Sequence, residues 1–149
     1  MTLIVICGAT ASGKSSLALD VAEKLGGEIV NADSMQLYRG MNIGTAKVPE
    51  NERRGIVHHM LDILDIHDDA TVAYYQQKAR AIIDNLLASG IPVIVVGGTG
   101  LYIKALLDEL NFPERDPSVR ERLFAEADSL GAHAMHQRLV ALDSEAAAL

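Results

Sequence analysis

The chain has 149 residues, 49% of them apolar, which suffices for one domain with a real core; with four Tyr, two Phe and no Trp, that core must be aliphatic. A net charge of −7 argues against an extended nucleic-acid-binding face, and a single cysteine excludes an internal disulfide framework or a thiol pair for zinc. No apolar run is long enough to span a membrane, and the N-terminus shows no basic start or small-residue cleavage site, so a soluble, cytoplasmic protein is expected; a monomer is expected too, though nothing in the residues derives it.

The first element is TLIVIC (residues 2–7), an apolar run that predicts a buried parallel strand with Cys7 as inert core. It leads into GATASGKS (8–15), which matches G-x-x-x-x-G-K-[ST] at every fixed place through Gly8, Gly13, Lys14 and Ser15. The glycines let the backbone from Gly8 through Ala9, Thr10, Ala11 and Ser12 to Gly13 curl with its N–H groups inward. Lys14 adds a full charge, and Ser15 adds a hydroxyl able to hold Mg²⁺. Leu17, Ala18, Val21, Ala22 and Leu25 predict a helix over 15–25 whose positive end faces the same point, and Gly26-Gly27 stops it. A strand before and a helix after make this P-loop a site for a di- or triphosphate rather than a chance match.

EIVNAD (28–33) reads as a second strand with a polar exit. Residues 34–56, punctuated by Gly40, Gly44, Pro49 and Gly55, read as a long functional loop with a short helix. VHHMLDI (57–63) predicts a short strand in which the His58 and His59 side chains diverge, favouring structural over metal-binding roles. Arg39, Lys47, Arg53 and Arg54 form a basic group that faces either an anion or solvent. Thr71 caps a predicted helix over 71–89, with Gly90 just past its end.

PVIVVGG (92–98) is the clearest internal strand, followed by a helix over 101–110. Asp116-Pro117 predicts an N-cap and first helical position for a helix to about Leu130, and another runs from 132 to 142. His133 and His136 share a face of that last helix but lack a partner carboxylate. Asp143 opens a further helix at SEAAAL, and the chain stops in its first turns, which reads as truncation. The alternation of elements predicts an α/β, P-loop NTPase-like, three-layer domain with a mainly parallel sheet. Ligands of such sheets bind beyond the carboxyl ends of the strands, where Gly8, Asp33 and Gly97 fall.

A typical P-loop hydrolase places an Asp after a second apolar strand to hold Mg²⁺, yet the best strand here ends in Gly97-Gly98-Thr99-Gly100. Asp33 follows the weaker strand, and spacing leaves it as a metal carboxylate, a substrate base or a cap for a turn at Ser34. Thr99 is either an N-cap or a hydroxyl donor aimed at a leaving-group oxygen.

GATASGKS, NADSMQLYRGMNIGTAK (31–47), HHMLDI (58–63), VGGTGLYIKALL (96–107) and DPSVRERL (116–123), taken in this order and spacing, resemble the tRNA isopentenyltransferase (dimethylallyltransferase) family over essentially the whole chain. The P-loop carries Ala9 where the family usually has Pro, which changes no required donor. The resemblance implies transfer of a dimethylallyl group from dimethylallyl diphosphate to the exocyclic amine of the adenine beside the tRNA anticodon, with Mg²⁺. It implies Asp33 as the base on that amine, Thr99 as donor to the bridging oxygen, and Lys14 with the loop amides on the diphosphate. Asp33, Ser34, Met35 and Gln36 would line the adenine pocket, and Arg120 would touch RNA. Family members run to about twice this length, so a C-terminal RNA-gripping part is expected to be missing.

Two other readings remain at this level. A small-molecule or nucleotide kinase would share the P-loop, use Asp33 as base and close Arg115, Arg120 and Arg122 as a lid; DSMQ-x-YRGM speaks against it. A folded diphosphate-binding module without activity is the other. A relative acting on free adenine nucleotides would share the P-loop and an equivalent Asp, and DSMQ favours tRNA.

Overall fold

The computed structural model describes residues 2–112 and 116–149. It contains two compact units, one ending at Asn111 and one spanning Phe112–Leu149. In the first, β1 (Leu3–Cys7), β2 (Glu28–Asn31), β3 (His58–His59) and β4 (Val93–Gly97) form one parallel sheet in the order β1-β4-β2-β3. Cys7 pairs with Gly97 and Asn31 with Val96, so three strands finish level at their carboxyl ends.

The strands alternate faces, as the pleat requires. Val30, Val93 and Val95 pack with Tyr75, Ala79 and Ile83 of α2 (Val72–Ala88) and Tyr102 of α3 (Gly100–Leu107). Ile29 and Ile94 pack on the other face against Ala18, Leu19 and Ala22 of α1 (Lys14–Leu25). This is the expected three-layer arrangement. Burying each such Val or Ile contributes about 1.5–3 kcal/mol, and the two faces of β4 draw on both helical layers at once.

The helix boundaries have local causes. Gly13 (φ 85°) and Gly26 (φ 63°) flank α1 in the left-handed region, and Gly26 N–H donates to the Ala22 carbonyl. The Thr71 hydroxyl accepts from Tyr74 N–H at the start of α2. α3 ends at Leu107, three residues short of expectation. Its end is held from the side: Gln76 donates to the carbonyls of Ala105 and Leu110, and Arg80 to those of Ala105 and Asp108.

Two expectations need correction. β1 is parallel, but it lies at the sheet edge and is only partly buried. Cys7, at its end, is exposed and not core. The short strand expected within 57–63 is limited to His58–His59, because Met60 (φ 55°) and Asp62 (φ 56°) turn left-handed and end the ladder. The two imidazoles do diverge, His58 toward the Ile56 carbonyl and His59 toward Glu28 at 2.6 Å.

The second unit consists of α4 (Pro117–Leu142), broken at Gly131 (φ 80°, ψ 162°), and α5 (Ser144–Ala147). The Asp116 carboxylate accepts from the Ser118 hydroxyl and from the Ser118 and Val119 amides, and these bonds hold it below the usual carboxylate value. None of the described residues of α4 or α5 is buried.

One contact joins strand to strand at the carboxyl end. A Cβ at Gly97 would lie 2.2 Å from the Ala32 carbonyl carbon and oxygen, so only glycine fits. Gly100, by contrast, has open space. Gly97→Ala should therefore cost about 1–3 kcal/mol or more in urea unfolding. Gly100→Ala, at the first residue of α3, should be neutral or gain up to about 1 kcal/mol.

Candidate active site

Beyond the level strand ends lies a cavity of about 130 Å³. The run from Thr10 to Ser16 lines one part of it; Asn31, Asp33, Gln36, Thr45, Ala46, Val96 and Gly97 line the rest. The loop is left-handed at Ala11 (φ 62°) and Gly13, steps that curl a backbone so its amides converge on a common centre. Lys14 Nζ rests 2.5 Å from the Ala9 carbonyl of its own loop. Gly8 and Ala9 stand just before the lining residues.

Asp33 reaches the cavity because β2 ends one strand away from β4. Ala32 N–H donates to the Val96 carbonyl and Thr99 N–H to the Ala32 carbonyl, which carries the chain outward at Asp33. Asp33 Oδ1 accepts from Met35 N–H at 3.0 Å and so caps the short 3₁₀ turn Met35–Leu37. Oδ2 has no protein donor among the described residues. The turn cap therefore uses one carboxylate oxygen of a residue that also lines the cavity.

Thr99 precedes α3, but its hydroxyl makes no cap there; Oγ1 accepts from Ser34 N–H at 3.1 Å. That leaves its hydrogen for another acceptor. Among the residues expected around the adenine, Asp33 and Gln36 line the cavity, Ser34 joins Thr99 and Met35 is exposed. Gln36 Nε2 donates to the Thr45 carbonyl, and Thr45 donates to the Met41 carbonyl, so the IGTAK segment is tied to DSMQ.

The basic group is committed elsewhere. Lys47 is 9% exposed and donates to the Tyr38 carbonyl and Asp62 Oδ1; Arg53 stands 3.7 Å from Asp62, and Arg54 pairs with Asp20 and Glu23. A carboxylate beside each of these three cations offsets the charge an anion would seek. Arg120, in the second unit, is exposed with its guanidinium 5.4 Å from the Phe124 ring centre. Arg122 lies 3.7 Å from Glu126, and Arg115 lies outside the described residues.

Asn31, Thr45 and Ala46 line the cavity without having been singled out by the sequence. Asn31 did carry a signal, a polar residue closing an apolar strand. His58 borders a small neighbouring cavity of about 20 Å³ with Ser15, Asn31 and Gln36. Burial pushes its imidazole below the ordinary value of 6.5, with the Arg53 cation adding to the effect against the Ile56 carbonyl.

No group of three or more His, Cys, Asp or Glu side chains among the described residues could cage a metal. Ser15 stands at the cavity wall, where its hydroxyl is the kind of single oxygen a phosphate-bound Mg²⁺ would take from a protein.

A parallel sheet, a glycine loop opening a helix and a carboxylate across the cleft define an α/β protein of P-loop NTPase-like fold. Residues 36–149 match the model of the IPP transferase family, and the chain belongs to that family. It is 58% identical over 146 residues to a tRNA dimethylallyltransferase of Mycobacteroides abscessus, covering 98% of this chain and 47% of that protein. It is 57% identical to one from Frankia casuarinae, covering 97% and 50%. Among solved structures it resembles the full-length tRNA isopentenylpyrophosphate transferase of Bacillus halodurans (TM-score 0.71, 40% identity, 99% of this chain, 49% of that one). It also resembles a eukaryotic dimethylallyltransferase acting on tRNA (TM-score 0.81, 29% identity, 99% and 37%). The chain thus spans about half the length of the curated relatives it matches.

Two measurements address the site directly. Lys14→Met removes a charged donor, and titration calorimetry with inorganic diphosphate should record a loss of roughly 10–100-fold in affinity. His58 resists protonation in the folded state, so its contribution to stability is present above 6.5 and lost as pH falls through its lower folded value. The urea midpoint should fall on acidification through that window, and less steeply in His58→Asn.

Proposed function

We propose that this cavity serves transfer of a dimethylallyl group from dimethylallyl diphosphate to the N6 amine of the adenine next to a tRNA anticodon. The observation that carries the reading is the juxtaposition of Asp33 with the Lys14 loop across one small cavity. Membership of the IPP transferase family and the names of the relatives support it over phosphorylation of a small molecule.

The chemistry follows from what each group can do. Lys14 leaves the Ala9 carbonyl for a phosphate oxygen, and the loop amides surround the same anion. Ser15 would hold Mg²⁺, which supplies charge neutralisation for the departing diphosphate. The allylic C–O bond breaks, and its electron pair leaves on the bridging oxygen, toward which Thr99 donates its hydroxyl hydrogen. Contacts of that kind are worth about 3 kcal/mol when charge develops only in the transition state.

The amine lone pair is delocalised into the adenine ring and attacks poorly unless its proton is removed as the C–N bond forms. Asp33 takes that proton, a contribution of about 10²–10⁴ in rate. Gln36, beside Asp33, offers an amide suited to a base edge, and an anticodon adenine must be splayed out to reach it. Arg120 is proposed as an RNA contact. No described helix is long and apolar enough to cross a membrane, and a tRNA acceptor supports a cytoplasmic setting.

The test incubates the protein with an unmodified anticodon stem-loop RNA, Mg²⁺ and dimethylallyl diphosphate, and reads prenylated adenosine by mass spectrometry. Asp33→Asn keeps an acceptor for Met35 N–H, so it should lower transfer by about 10²–10⁴ with diphosphate affinity unchanged. Equal loss of binding would make Asp33 a metal ligand, and phosphoryl transfer from ATP without prenylation would overturn the reading in favour of a kinase.

A further inference from the structure

Asp33 leaves the sheet on a short, partly exposed segment, which by itself would not hold a carboxylate still. Its neighbour two residues back is 3% exposed and makes an unusual set of contacts. Asn31 Oδ1 accepts from Asp33 N–H at 3.2 Å, while Nδ2 donates to the Asp33 carbonyl and to the Met60 carbonyl, both at 2.9 Å. The side chain therefore grips both polar groups of the Asp33 backbone. It also ties them to the left-handed turn at Met60.

Asn31 is itself anchored. Its own carbonyl accepts from the Tyr75 hydroxyl at 2.9 Å, and the Tyr75 ring stacks on Tyr102 with 4.0 Å between centres. Burial raises both phenols above the ordinary tyrosine value, and the negative charge of Asp33 adds to the rise at Tyr102. The phenol of Tyr75 thus stays a donor to the strand end. A buried amide with its donors and acceptor satisfied, seated on an aromatic stack, is a rigid support.

We propose that Asn31 is the positioning residue for Asp33, holding the carboxylate on the cavity through the Asp33 backbone, its side-chain amide being taken up by Asp33 and Met60. The proposal rests on the transfer reading above only for its effect on rate. The clamp itself is a statement about the folded chain. Misplacing a catalytic group by about 1 Å costs on the order of 10²-fold, so the clamp bears directly on catalysis.

Amide hydrogen exchange tests it without needing turnover. Met35 N–H bonds the Asp33 carboxylate, and Ser34 N–H bonds Thr99, so these two amides report where Asp33 sits. Asn31→Ala should speed their exchange by about tenfold or more, with the amides of β4 and α1 unchanged. Asn31→Ser keeps a shorter acceptor for Asp33 N–H and should give an intermediate increase. It carries the test should Asn31→Ala fail to fold. No change at Met35, or uniform acceleration across the sheet, overturns the proposal.

In protein that transfers the prenyl group, Asn31→Ala should lower kcat on the order of 10²-fold at unchanged KM for dimethylallyl diphosphate. A raised KM at unchanged kcat would also overturn it. If the unaltered protein transfers nothing, the transfer reading falls, and the exchange data still decide the role of Asn31.

Discussion

Everything at this site depends on the close approach of two backbones, Ala32 and Gly97. With no side chain at Gly97, the exit of β2 presses against the end of β4 at a distance no Cβ could tolerate. The contact brings Ala32 N–H onto Val96 and Thr99 N–H onto Ala32, and from there Ser34 N–H onto the Thr99 hydroxyl. A glycine ending the best strand also accounts for the missing carboxylate of P-loop hydrolases at that point. The space such a side chain would need belongs to the neighbouring strand. The carboxylate of Asp33 lines the cavity just past the end of the neighbouring strand, β2.

Around this contact the polar groups are arranged to be satisfied, which is what makes them rigid. An unpaired buried amide or hydroxyl costs about 1–3 kcal/mol, so Asn31 and the Tyr75 hydroxyl have few alternatives to the partners they hold. The P-loop contrasts with them. Among the described residues Lys14 Nζ bonds a carbonyl of its own loop, an interaction that an anion could replace. One wall of the cavity is locked and the other is ready to exchange partners.

The long segment after Asp33 is ordered by pairing rather than by regular structure. Residues 36–39 run beside 62–64 through Asp62 N–H to Gln36, Ile63 N–H to Leu37 and Arg39 N–H to Leu64. Lys47 closes the arrangement from inside, its ammonium shared between Tyr38 and Asp62. The ammonium is buried while Asp62 is partly exposed, so desolvation of Lys47 offsets much of the attraction, but losing Asp62 would leave a buried ion without its partner. The pair's service here is to hold DSMQ and IGTAK in one register over the cavity.

Much of this was legible in the chain alone. The glycine loop between β1 and α1, the helix spans of α1 and α2 and the break at Gly131 follow from periodicity, caps and glycine punctuation. These are properties of a few consecutive residues, and local sterics determine them. What sequence could not decide was who neighbours whom: that β1 lies at an edge and exposes Cys7, that Lys47 and Arg53 answer Asp62 rather than an anion, and that Asn31 grips Asp33. Each of these depends on strand order or on a contact between distant segments, and the side chain's fate changes with the partner it meets. The residue types specified the chemistry available, and the packing of β2 against β4 selected which of it faces the cavity.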